Sequence, residues 1–113
     1  MGRDLSKGDI PALILAVLAM GPGHGYAIAR EVERRSQEVF RLREGSLYPA
    51  LRVLEQEGLI EGQWETQDGG PARKVYVITP AGRVELTKRA QEWASYREAI
   101  NVFIGGKTHA RTA

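Results

Sequence analysis

One uninterrupted stretch, Arg43 to Arg83, constrains this chain more than any other: REGSLYPALRVLEQEGLIEGQWETQDGGPARKVYVITPAGR. Leu47, Leu51 and Leu54 recur at spacings of four and three, which marks one face of a helix. Gly58 suits the left-handed residue that ends such a helix. Ile60 to Thr66 and Arg73 to Thr79 read as strands around the turn-forming run Gln67-Asp68-Gly69-Gly70-Pro71-Ala72. Thr79-Pro80 then opens a new helix, with a hydroxyl cap and a proline at the first helical position. A helix, a tight exit, a hairpin and a fresh helix start form, in that order, a recognition helix followed by a wing.

The segments before it complete a helical domain. Arg3 to Lys7 reads as a polar lead-in, and Asp9 can cap a helix that carries Pro11 in its first turn. Ile10, Leu13, Ile14, Val17 and Leu18 fall on one stripe, and Gly21-Pro22-Gly23 ends it. A second helix starts near His24-Gly25-Tyr26. Its apolar positions are Tyr26, Ala29 and Val32 with Ile28 alongside, and its other face carries Arg30, Glu31, Arg34 and Arg35. Val39, Phe40 and Leu42 form a short connection expected to dock on the core. Ser46 is the expected N-cap of the third helix, which places Pro49 at the last position that needs no amide bond. On the hairpin, Trp64 shares a face with Ile60, as Tyr76 does with Ile78. Both pairs are expected to close over the helices.

The helix that begins at Thr79-Pro80 continues to Ile104, before Gly105-Gly106. That is roughly 37 Å at ~1.5 Å per residue. Leu86, Ala90, Trp93, Arg97, Ile100 and Ile104 alternate at spacings of four and three, and Tyr96 and Phe103 widen the stripe. Such a helix overreaches a domain this small, so its apolar face calls for a second copy of the chain. The expected fold class is mainly α with a small β-hairpin: a winged helix-turn-helix over residues 1–79, a dimerisation helix over 80–105, and a frayed tail over 106–113.

Composition narrows the function classes. The 113 residues allow one small domain with a modest core. No apolar run approaches the roughly 18 residues of a membrane span, and the first residues carry no secretory pattern. With no cysteine there are no disulfides, thiolate zinc sites or cysteine nucleophiles, and a cytoplasmic location is the natural expectation. The net charge of +2 permits nucleic-acid binding without demanding it. Glu55, Glu57, Glu61 and Glu65 stand near Arg52, Arg73 and Lys74, so any DNA-binding face must arise from folding that sorts the signs. Catalysis has little support. His24 and His109 do not form a ligand pair, no phosphate-cradling loop leads into a lysine, and Glu55, Glu57 and Glu61 read as solvated. No cofactor or metal is expected.

Four candidate sites remain, each with a plainer alternative. Ser46, Tyr48, Pro49 and Arg52 lie off the leucine face of the third helix and suit a major groove about 12 Å wide. Alternatively they form a solvated face, with Tyr48 packed on Leu51 or Arg52. Arg73 and Lys74 suit phosphate beside the groove, or they protect an exposed hairpin from edge pairing. His24 suits phosphate contact or pH sensing, or it is a turn residue with a satisfied ring and Tyr26 is core. Two copies of Trp93 across a two-fold axis suit a flat aromatic effector, or they simply anchor a dimer. Arg97, one turn on, suits an acidic ligand or the partner's Glu92.

Laid out this way, the chain resembles the PadR family of bacterial transcriptional regulators. The matching pieces are LSKGDIPALILAVLAMGPGHGYAIAREVE, LREGSLYPALRVLEQEGLIEGQWE and RKVYVITPAGR, which cover most of Leu5 to Arg83. The resemblance implies a homodimeric winged-helix repressor on a palindromic double-stranded DNA operator, with the C-terminal helix, helped by the first, supplying the dimer contact. It also implies that Tyr26 lies near the DNA side. The single helix after the wing is similar to that of the short subfamily. In some short members a tryptophan faces a dimer pore and stacks on planar drugs, and Trp93 matches that placement. Three readings therefore stand together: a repressor, a planar aromatic drug or metabolite sensor using Trp93, and a winged-helix protein-interaction module that no longer reads DNA.

Overall fold

Helix α1 (Ile10–Leu18) buries Ile10, Ile14, Leu15 and Leu18, and leaves Leu13 and Val17 half-buried. Leu15 thus joins the expected stripe. Asp9 occupies the N-cap position, but its carboxylate caps nothing; it accepts a hydrogen bond from Ser6 Oγ at 3.0 Å. The structure is a computed structural model that describes residues 3–4 and 6–105. The expected tail, 106–113, lies outside the described residues.

A short strand β2 (Gly23–His24) leads into α2 (Gly25–Arg35). The buried positions of α2 are Gly25, Ile28 and Val32. Tyr26 is 62% exposed, so it is not a core residue, and the stripe is shifted from the one expected. Helix α2 ends at Ser36, and the chain turns through Gln37 and Glu38, both with positive φ. It then enters β3 (Phe40–Arg41), which pairs in parallel with β1 (Arg3–Asp4). The expected lead-in therefore includes a strand. In the connection Leu42 is buried and Phe40 half-buried, while Val39 faces out.

Helix α3 (Glu44–Gln56) buries Leu47, Leu51 and Leu54 as expected, but it starts two residues before Ser46. Extended Arg43 is the N-cap position, its carbonyl accepts from Leu47 N–H at 2.8 Å, and Glu44 places its carboxylate at the positive end of the helix. Pro49 consequently lies inside the helix and denies the Gly45 carbonyl its helical donor. Gly45 is exposed, so water can satisfy that carbonyl. At the other end Gly58, with φ of 76°, allows Gly58 N–H to reach Glu55 O and Leu59 N–H to reach Leu54 O, both at 3.0 Å. These bonds close the helix and aim the chain into the wing.

The wing is tighter than the sequence pattern indicates. Strands β4 (Ile60–Gln67) and β5 (Gly70–Ile78) meet at a two-residue Asp68-Gly69 turn, where Gly69 has φ of 71°. Gly69 supplies the positive φ of the turn, so the strands absorb most of the expected six-residue loop. Strand β5 also pairs with β2 through Gly23 and His24, giving a three-stranded sheet in the order β2-β5-β4. Ile60 and Tyr76 are buried beneath it. Trp64 shares their face but is 70% exposed, because the hairpin's distal half projects beyond the helices.

Helix α4 (Pro80–Ile104) begins where Thr79 accepts from Gly82 N–H at 3.0 Å and donates its hydroxyl to Gly58 O at 2.7 Å. Its first turns pack on the core through Leu86 and the buried Gly82. Beyond them the helix carries exposed apolar residues.

Candidate nucleic-acid interface

Helix α3 divides its residues cleanly. The three leucines point into the core, while Tyr48, Pro49 and Arg52 are exposed and Ser46 is half-buried near the start of the helix. The ring of Tyr48 lies against Gly25 in the first turn of α2, where an added Cβ would sit 2.6 Å from the Tyr48 hydroxyl oxygen. The bare glycine thus lets Tyr48 of α3 approach the first turn of α2.

The neighbouring residue on α2 adds a second tyrosine to this region. Tyr26 projects outward, accepts a hydrogen bond from Arg30 Nη1 at 2.8 Å, and carries the Arg30 guanidinium 5.6 Å from its ring centroid. Arg30 received no role from sequence reasoning, although its spacing of four from Tyr26 is that of facing helical neighbours. Arg34 and Arg35, one turn further, are engaged with Glu31 at 2.5 and 3.5 Å. The hydrogen bond from Arg34 holds the Glu31 carboxyl below its usual range. Arg30, by contrast, engages the hydroxyl and ring of Tyr26. His24 is the N-cap residue, and its Nδ1 accepts from Ala27 N–H at 3.4 Å.

On the wing, the two basic residues part company. Arg73 is exposed on β5 and directly opposite Glu65. Lys74 turns inward, and its ammonium lies 3.1 Å from Glu55 Oε1 at the end of α3. Glu55 is thus not simply solvated; its other oxygen accepts from Gly62 N–H at 3.3 Å. Tyr76 beneath this cluster is pushed above the usual phenol range, chiefly by burial. Nothing in the linear pattern pairs Glu55 with a lysine 19 residues away.

Along α4, Leu86 is half-buried in the chain's own core, while Ala90, Trp93, Arg97, Ile100 and Ile104 are exposed. The Trp93 and Tyr96 rings stack with centroids 5.4 Å apart and 23° between planes. Phe103 is 82% exposed. Among the described residues no helix is long and apolar enough to cross a membrane, and no group of three or more potential ligands could hold a metal ion.

Three helices, a short α2–α3 connection and a hairpin packed beside α3 define a winged helix-turn-helix protein. The family model for PadR-like transcriptional regulators matches residues 14–88. The chain belongs to this family and is a transcriptional regulator, and members of the family are regulators, not enzymes. Transcriptional regulator Rv3488 of Mycobacterium tuberculosis is 33% identical over 107 residues, spanning 95% of this chain and 94% of that one. A PadR family transcription regulator from Clostridium difficile is 35% identical with a TM-score of 0.75, over 86% of this chain and 99% of that one. A transcriptional regulator from Clostridium thermocellum superposes with a TM-score of 0.80 at 28% identity, over 87% of this chain and 95% of that one.

Proposed function

We propose that the chain is a homodimeric repressor that reads a palindromic operator in duplex DNA. The observation that carries this is the division of α3: leucines hold one face in the core, while Tyr48, Pro49 and Arg52 stand clear beside a wing. Arg52 is the base-reading residue, since a guanidinium can bond guanine O6 and N7 together. Ser46, Tyr48 and Tyr26 hold the backbone, Arg30 reinforces Tyr26, and Arg73 adds a phosphate contact from the wing. The exposed apolar stripe of α4, including Trp93, Ile100 and Ile104, supports pairing of two chains. Pairing would set the two reading helices about one DNA turn apart, ~34 Å.

Selection of duplexes from a random-sequence pool tests this reading. An inverted repeat should emerge, and Arg52→Ala should lower affinity for it by about 1–3 kcal/mol while relaxing preference at one base pair. If no duplex is preferred over random DNA even at low salt, the reading fails. A second reading, release by a planar aromatic effector, is favoured by the exposed Trp93 ring stacked on Tyr96. Such an effector would act only through different affinities for the operator-bound and free arrangements of the dimer.

A further inference from the structure

Glu55 lies on the same stripe of α3 as Tyr48 and Arg52, at spacings of four and three. It is the residue of that stripe nearest the wing, and it holds both wing strands. Oε1 accepts from Lys74 Nζ on β5 at 3.1 Å, and Oε2 accepts from the Gly62 N–H on the outer strand β4 at 3.3 Å. The two side chains are only 33% and 30% exposed, so solvent screens the pair incompletely. The ammonium also lies 5.6 Å from the Tyr76 ring centroid and 5.9 Å from that of Trp64. Gly62 makes room for this arrangement, because a Cβ there would meet Lys74 Cε at 2.3 Å and Glu55 Oε2 at 3.1 Å.

We propose that Glu55 is a positioning residue which, by clasping Lys74 and the Gly62 amide, fixes the angle of the wing against the reading helix. The inference rests on the DNA-binding reading and deepens it. Its discriminating feature is a sign. A carboxylate beside a DNA-facing stripe repels phosphate, so removing a merely exposed Glu55 strengthens binding. Removing a clasp loosens the wing and weakens binding. Lys74 is equally diagnostic, since deleting a phosphate contact lowers the slope of log affinity against log salt by about 0.9, whereas deleting a clasp leaves the slope unchanged.

The test uses the full chain and a duplex selected by it from a random pool. Glu55→Ala, Lys74→Met and Gly62→Ala are each expected to weaken binding by about fivefold, the upper range for a partly exposed ion pair. Gly62→Ala retains every charge, displaces the lysine and crowds Glu55 and Tyr76. Glu55→Ala should also speed hydrogen exchange at the Gly62 amide in the absence of DNA, with thermal unfolding confirming that each variant is folded. Tighter or unchanged binding by Glu55→Ala, or a salt slope that falls with Lys74→Met, would overturn the clasp. A pool that yields no preferred duplex is a different result, for it removes the DNA-binding reading and the wing's role with it.

Discussion

Gly82→Ala probes the joint between the wing domain and α4. A Cβ at Gly82 would lie 2.1 Å from the Leu59 carbonyl oxygen and 2.7 Å from Ile78 Cγ1. That oxygen is backbone, and it already accepts from Thr79 N–H at 3.1 Å, so it cannot retreat without loosening the launch of the helix. Forcing a methyl into such a contact costs about 1–3 kcal/mol. Weakening the Thr79 cap, whose oxygen takes Gly82 N–H, adds about 1 kcal/mol. Alanine's better helix propensity offsets about 1 kcal/mol. The net is a loss of about 2 kcal/mol, or roughly 8–12 °C in Tm for a domain of this size. Gly45→Ala is the control, because nothing lies within 4 Å of a Cβ there, and it should raise Tm by a few degrees, on the order of 0.5–1 kcal/mol of helix propensity. Melting followed by circular dichroism at one protein concentration compares the two, since association itself raises Tm. If Gly82→Ala melts at or above the unmodified chain, the close approach of α4 to Leu59 is wrong.

Three other outcomes are expected. Ile100→Asp should convert dimers to monomers in sedimentation velocity, because an aspartate on the exposed stripe of α4 must be desolvated when two helices pair; a variant that remains dimeric removes this helix from the interface. Planar aromatic compounds should quench tryptophan emission, and Trp93→Phe should abolish the effect; quenching that persists assigns it to Trp64, the other tryptophan. Burial pushes the Tyr76 phenol above the usual phenol value near 10.0, so the unfolded chain releases this proton first. Stability should therefore fall as pH rises past that value, an effect absent below it. Urea midpoints at pH 9 and pH 11 should show a smaller decline for Tyr76→Phe, and equal declines would refute the assignment.

Local chemistry explains what was legible without coordinates. The leucines of α3, the left-handed exit at Gly58, and the Thr79-Pro80 start each involve residues within a few positions of one another. Periodicity and cap chemistry express such relations directly. The same holds for the outward placement of Tyr48, Pro49 and Arg52. Boundaries were less legible: α3 starts at Glu44 and not at Ser46, because an extended Arg43 can supply the first carbonyl without any capping side chain.

Tertiary structure decided everything that depends on chain segments far apart in sequence. Tyr26 fits an apolar stripe in isolation, but the orientation of α2, with Ile28 inward, turns it out to meet Arg30. Trp64 alternates with Ile60 on one strand face, yet only the lower half of the wing has helices beneath it. Lys74 and Arg73 are adjacent and alike as letters. A strand sends them to opposite faces, one toward the carboxylate of Glu55 and the other toward solvent. Sequence alone determined the four helices, the hairpin and the family they belong to, because those follow from local torsions and the spacing of apolar residues; the two-residue strands β1, β2 and β3 exist only through pairing with distant segments. Which charge is engaged and which is exposed was settled only in three dimensions, because an ion pair depends on distance through space and not along the chain.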